Sequence, residues 1–274
     1  MSRIEQTFAR CQQSGRKALI TYITGGDPEP GVTVPLLHTL VANGADILEL
    51  GVPFSDPMAE GPVIQAACER ALQHKVSLSR VLEMVREFRQ TDDRTPIVLM
   101  GYLNPIEAMG YQRFAEAAAA AGVDGVITVD LPPEEGEEFN AALIERGVDP
   151  ILLLAPTSSA ARIKRICDAA RGFVYYVSLK GVTGAASLDV SSVAERVAAI
   201  RSATSLPVGV GFGISDPESA ARVAQVADAV VVGSALVRLV AQNQNDSMKI
   251  REAAGAFIAS LRQAMDQVPA AAKA

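Results

Sequence analysis

One unit recurs through this chain and limits the folds open to it. GADILELG (44–51), GVDGVITVD (122–130), GVDPILLLAP (147–156) and ADAVVVGS (227–234) each join a small residue and an aspartate to an apolar strand. Each follows a stretch of helical periodicity, so the glycine is expected to end a helix and the aspartate to open a tight turn into the next strand. Four further runs complete a set of eight strands: KALITYIT (17–24), PIVLMGY (96–102), FVYYVSL (173–179) and LPVGVGFG (206–213). Near-continuous Val, Ile and Leu, without alternation, mark strands buried on both faces and therefore parallel.

Helical patterns fill the intervals, near 31–43, 62–73, 78–90, 106–121, 134–146, 159–171, 190–203, 216–226, 235–242 and 247–266. Strands alternating with helices in this number predict an α/β chain folded as a single (β/α)8 TIM barrel over 1–267. Additional helices follow the eighth strand, and 268–274 reads as a loose tail. An open doubly wound sheet is the competitor. Its usual GxGxxG turn is absent from ITGGDPEPG, which follows the first strand. An extra N-terminal helix is also expected. Ser2 caps it, Glu5 reaches back, and Ile4, Phe8 and Cys11 share one face.

Composition removes several classes of function. With 274 residues, 49% hydrophobic and 20% charged, the chain can bury a large core. A net charge of −6 makes nucleic acid or an anionic membrane surface a poor partner. No apolar run reaches bilayer-spanning length, and MSRIEQTFARC has no signal-peptide core. Cys11, Cys68 and Cys167 are odd in number and far apart, which argues against a disulfide framework and for a reduced, cytoplasmic protein.

In a barrel of this kind the chemistry sits at the C-terminal ends of the strands. Glu49 is the penultimate residue of the second strand, and LELGVPFSDPMAEGPVIQ (48–65) then adds Asp56 and Glu60. Such an acid is either a site residue or a solvated or paired charge, since burying it unpaired is costly. Gly-rich turns after the last three strands suit a phosphate: KGVTGAAS (180–187), GFGISD (211–216) and Gly233–Ser234. Barrel loops also need glycines for their own sake. Ser234 is placed to cap the helix SALVRLV. His38 and His74 both fall inside helical patterns away from the mouth, so neither a metal centre nor a Ser/His/Asp arrangement is expected. Lys180 offers a rival, a Schiff-base phosphosugar aldolase. Its Gly-rich loop, however, supplies nothing to desolvate the ammonium.

Taken together, LELGVPFSDPMAEGPVIQ, YITGGDP, GYLNPI, VDLPPEE and YYVSLKGVTG closely resemble the tryptophan synthase alpha chain family. The match runs in register from residue 1 to about 265. The resemblance implies a lyase of tryptophan biosynthesis that cleaves indole-3-glycerol phosphate to indole and glyceraldehyde 3-phosphate. It also implies an α2β2 heterotetramer whose β chain carries pyridoxal phosphate (PLP), this chain needing no cofactor and no metal.

Residue by residue, the resemblance makes Glu49 the proton-transfer group and Glu60 the carboxylate beside the ring nitrogen. Tyr175 packs near the indole and can hydrogen-bond Glu49. Tyr22, Met100, Ile127 and Phe212 line an apolar slot, and Gly184, Gly213, Gly233 and Ser234 hold phosphate. Thr183 couples the loop after the sixth strand to the Glu60 loop, while Asp56 and Asn104 face the partner. Two departures stand out. MAEGP replaces the family's LADGP, so Glu60 stands for an Asp, and Leu179 occupies a position where the family often has Arg. A non-catalytic activator of the β chain, or a related phosphosugar isomerase or epimerase, remains open at this point.

Overall fold

A computed structural model describes residues 1–178, 190–211 and 213–268. Its strands are β1 (Ala18–Thr24), β2 (Ile47–Gly51), β3 (Ile97–Gly101), β4 (Gly125–Thr128), β5 in two pieces (Asp149–Pro150 and Leu152–Leu154), β6 (Val174–Val177), β7 (Val208–Gly211) and β8 (Ala229–Val232). Every pairing is parallel, neighbours follow chain order, and β8 returns to β1. The first piece of β5 pairs with β4 and the second with β6. Between them the Ile151 amide donates to the Val126 carbonyl at 2.9 Å, which closes the ring. The expected barrel forms, with its fifth strand interrupted at Ile151.

The helices occupy the expected intervals with one division. The pattern over 106–121 is two helices, Leu103–Met109 and Tyr111–Ala121. Gly110 separates them at φ 89°, a backbone region no right-handed helix passes through. No helix among the described residues is long and apolar enough to cross a membrane.

The repeated aspartates do more than open turns. Asp46, Asp124 and Asp228 each clamp the first residues of the preceding strand at two points. Their amides donate to the carbonyls of Leu19, Ile97 and Val208 at 2.8, 2.9 and 2.9 Å. Their carboxylates accept the amides of the same three residues at 2.9, 2.8 and 3.0 Å. An arginine then holds each carboxylate: Arg262 on Asp46 at 3.1 Å, Arg89 on Asp124 at 2.6 Å and Arg201 on Asp228 at 2.8 Å. The glycine two residues earlier makes room for two of these arginines. A Cβ at Gly44 would lie 2.6 Å from Arg262 Cγ, and one at Gly122 2.9 Å from Arg89 Cγ. Glycine, aspartate and a distant arginine thus form one device at the base of the barrel.

The N-terminal helix, Arg3–Gln13, carries the predicted capping box of Ser2 and Glu5. Its Ile4, Phe8 and Cys11 plug the base and join Ala18, Ile20, Ile47, Val98, Ile127, Ile151, Phe173, Ala229 and Val231 in one apolar cluster. Arg3 ties the plug to Asp124 at 2.9 Å. All three cysteines are buried and free. Among the described residues the interior of the barrel is therefore filled with hydrocarbon below the level of Glu49.

Replacing Asp124 by Ala would strand Arg89, itself nearly buried, without its charge partner. We expect a loss of about 3–5 kcal/mol, read as a lower urea midpoint at unchanged m-value. Asp124→Asn, which keeps an acceptor for the Ile97 amide, should lose less.

Candidate active site

Strand periodicity carries Ile47 into the barrel core and Glu49, two residues on, to the layer above it. Tyr22 of β1 stands opposite Glu49 in the register, and Val98 of β3 on its other side. Glu49 is 1% exposed, and its Oε2 has no hydrogen-bond partner among the described residues. Burial pushes its carboxyl up to about 8, and the neighbouring Glu60 adds to the shift. A lone carboxyl in such a place retains its proton near neutrality.

Glu60 comes from the loop between β2 and the helix Pro62–Gln73. Gly61 is the N-cap of that helix and Pro62 its first residue, a position where proline costs no hydrogen bond. The loop is held at several points. The Val52 amide donates to the Met100 carbonyl at 2.8 Å, and the Phe54 ring stacks on Tyr102 with centroids 5.0 Å apart. The Ala59 amide donates to the Tyr102 hydroxyl at 2.9 Å, and Gln65 Nε2 donates to the Glu60 carbonyl at 2.8 Å. Burial pushes the Glu60 carboxyl up to about 7. From the other side, Arg70 of the following helix makes a two-toothed ion pair with buried Asp27 at 2.6 and 2.9 Å. This pair ties the helix to the loop after β1.

Two phenols flank the acids. Tyr22 is 5% exposed and shares a hydrogen bond with Thr24 Oγ1 at 3.2 Å. Its ring lies over Gly51, where any Cβ would overlap the phenol, and the Tyr175 ring lies over Gly211 in the same way. Burial raises both phenols well above their usual range, with Glu60 the leading charge acting on Tyr22 and Glu49 on Tyr175. No hydrogen bond joins Tyr175 to Glu49 among the described residues. The two are electrostatic neighbours instead.

Of the expected apolar slot, Met100 is half-buried and touches both the barrel core and the Tyr22 cluster with Ile64, Ala67, Cys68 and Val237. Ile127 is fully buried and belongs to the barrel filling, level with Met100 in the register. Gly233 lies 3.5 Å from Tyr22 Cβ, measured from where its own Cβ would be, so the β8 turn borders the slot.

That turn differs from expectation in one respect. Ser234 does not cap the helix Ser234–Gln242; Gly233 occupies the N-cap, no side chain caps it, and Ser234 is the exposed first helical residue. The first backbone amides of this helix therefore have no side-chain acceptor from the N-cap. Gly213 is exposed at φ 78°. Leu179, Lys180, Thr183, Gly184 and Phe212 lie outside the described residues.

Asp56 and Asn104 are both exposed, each two residues beyond a member of the Phe54–Tyr102 stack. Met58 beside them is 85% exposed. His38 lies within the helix Pro30–Ala42, and His74 is the C-cap of Pro62–Gln73. Sequence reasoning missed Tyr102, Gly51, Gly211 and the Asp27–Arg70 pair. Gly51 and Gly211 end their strand runs, a signal for close approach of another group. Tyr102 sat inside a quoted motif but had no visible partner.

The family model for the tryptophan synthase alpha chain matches residues 8–266. The tryptophan synthase alpha chain of Thioalkalivibrio sulfidiphilus is 65% identical over 266 residues, covering 97% of this chain and all of that protein. The crystal structure of tryptophan synthase subunit alpha from Legionella pneumophila str. Paris superposes with a TM-score of 0.92 at 47% identity, covering 98% of this chain and all of that one. A tryptophan synthase structure from M. tuberculosis in an aminoacrylate-bound form gives a TM-score of 0.85 at 36% identity, covering 96% of this chain and 100% of that one. With the barrel, the strand-end acid and the motif order all in agreement, this chain belongs to the tryptophan synthase alpha chain family.

Proposed function

We propose that this chain cleaves indole-3-glycerol phosphate to indole and glyceraldehyde 3-phosphate as the α subunit of a tryptophan synthase. The observation that carries the reading is Glu49: a buried carboxyl at the barrel mouth, one oxygen unpartnered, beside a second carboxyl. Protonated Glu49 delivers its proton to indole C3. The ring nitrogen then carries positive charge, which the ionised Glu60 carboxylate offsets. Glu49, now a carboxylate, accepts the proton of the hydroxyl on the carbon attached to C3. The carbon–carbon bond breaks, its electron pair returns to the ring, and the former carbinol carbon becomes the aldehyde. Atoms and charges balance with no imine.

Tyr22, Met100 and Tyr175 enclose the indole. The helix start at Gly233–Ser234 and the turn at Gly213 hold the phosphate, with Gly184 and Thr183 assigned to the site by the family resemblance. Asp56 and Asn104 on the rim belong to the contact with a β chain, which supplies PLP and consumes the indole in an α2β2 assembly of the cytoplasm. The test is steady-state cleavage of indole-3-glycerol phosphate by the purified chain, alone and with a β chain. Turnover by the chain alone, raised by the partner, supports the reading. An absence of turnover in both, with the partner still activated, would make the chain a non-catalytic activator.

Glu49→Gln should lower kcat by at least 100- to 10,000-fold, the range that general acid–base catalysis spans, with binding largely kept. The same variant should change stability in the opposite sense. Unfolded Glu49 titrates near its ordinary 4.5, whereas the folded chain holds the proton to about 8. Folding takes up a proton across that window, so stability falls as pH rises through it. Glu49→Gln cannot ionise and should melt above the wild type at pH 8.5. The gain should shrink toward pH 4.5, as thermal scans across pH would show.

For Glu60 the charge matters more than the length of the side chain. Glu60→Gln should lose most activity and Glu60→Asp keep much of it, measured as kcat on the same substrate. Normal turnover by Glu60→Gln would remove Glu60 from the reaction.

A further inference from the structure

Glu60 rides on a loop, and one side chain grips that loop near both ends. Tyr102 leaves the end of β3 as the N-cap residue of the helix Leu103–Met109 and is 5% exposed. Its ring stacks on Phe54 at an interplanar angle of 25°, near the start of the loop. Its hydroxyl accepts the Ala59 amide, one residue before Glu60. The base of Tyr102 is itself fixed, because the next amide, Leu103, donates to Asp130 Oδ1 at 2.8 Å on the loop after β4. On the far side of Glu60, Gln65 holds its carbonyl. The backbone on either side of Glu60 is therefore anchored to different elements, the residue that follows β3 and the helix Pro62–Gln73.

We propose that Tyr102 is a positioning residue for the reaction, a strut from β3 whose hydroxyl fixes where the Glu60 carboxylate meets the substrate ring. The inference rests on the reading of Glu60 as the ring-nitrogen carboxylate. A backbone shift at Ala59 is passed directly to Glu60, and an error of about 1 Å near reacting atoms costs on the order of 100-fold. A single neutral hydrogen bond is a small part of a domain's stability, so losing it loosens the loop without unfolding the barrel. Among the described residues, the titratable groups that feel Glu60 are Glu49 of β2, Tyr22 of β1, Tyr175 of β6, Tyr102 itself and Cys68 of the following helix. None of them is a cation. Burial alone raises the Glu60 carboxyl to about 7, so a loosened and better hydrated loop would lower it.

The experiment is Tyr102→Phe, which keeps the ring on Phe54 and removes only the hydroxyl. It is assayed in the wild-type and Glu60→Gln backgrounds across pH. We expect kcat to fall about tenfold or more with KM within about threefold, and the acid limb of the kcat profile to move to lower pH. In the Glu60→Gln background the same change should cost less than about threefold. Gln65→Leu, acting from the other side of Glu60, should show the same pattern. Equal loss in both backgrounds, or an unshifted acid limb, would make Tyr102 merely structural and overturn the proposal while leaving Glu60 in its role. Wild-type kcat in Glu60→Gln alone would overturn both.

Discussion

Strand register is the constraint on which this barrel depends. A slip of one residue between β1 and β2 would turn Glu49 from the barrel interior to the helix-facing side, and Tyr22 would lose its place opposite it. The two-point clamp of Asp46 on Leu19 opposes that slip, since both amides and both acceptors must be satisfied together. Arg262 holds the clamp from the far end of the chain. It is 7% exposed, rises from the helix Ser247–Asp266, and also donates to the Lys17 carbonyl at 2.9 Å. The last helix of the chain therefore helps to decide where the acid of the second strand points. Asp124 with Arg89, and Asp228 with Arg201, repeat the arrangement around the base.

A rigid base permits an unfavourable mouth. Below Glu49 the barrel is hydrocarbon, down to the plug of Ile4, Phe8 and Cys11. Water cannot reach the carboxyl from beneath, and Tyr22 stands opposite it on β1 while Tyr175 feels its charge. Keeping two acids in such a pocket costs stability, as sites built for chemistry commonly do, and the cost is carried by packing and ion pairs elsewhere. The glycines at 51 and 211 belong to the same design, because their missing side chains are the space the two phenol rings occupy.

Much of this was legible in the residues, and the limits have physical causes. The barrel followed from eight parallel-type strands, a property of each segment alone. The strand-end position of Glu49 followed from the same periodicity. The role of the repeated aspartates as clamps did not, because it consists of contacts with the preceding strand and with arginines far along the chain. The same holds for Tyr102, whose two partners lie on another loop. The break at Ile151 and the division at Gly110 were hidden because apolar runs and helical patterns continue through them. Ser234 looked like a cap because serine favours that place, yet the Gly233 backbone took it. Glu60 became a candidate for the ring nitrogen only through family resemblance; spacing alone marked it as an acid in a loop.

The environments of the two carboxyls differ in the sense the proposed reaction requires. Burial acts on both, but Glu49 is fully enclosed and additionally feels Glu60, so its proton leaves last, near 8 against about 7. Fuller enclosure and the charge of Glu60 both favour the proton on Glu49, which leaves Glu60 the more readily ionised of the two. That is the distribution a retro-aldol cleavage needs at its start: an acid for indole C3 and an anion for the ring nitrogen. Positive charge developing on the nitrogen then favours ionised Glu60 further. Exchanging the two environments would put the proton on the loop and the charge in the strand, where it has no cation to meet. On the proposed reading, depth in the barrel separates the two parts more than side-chain identity does, since both groups are glutamates and they differ in enclosure.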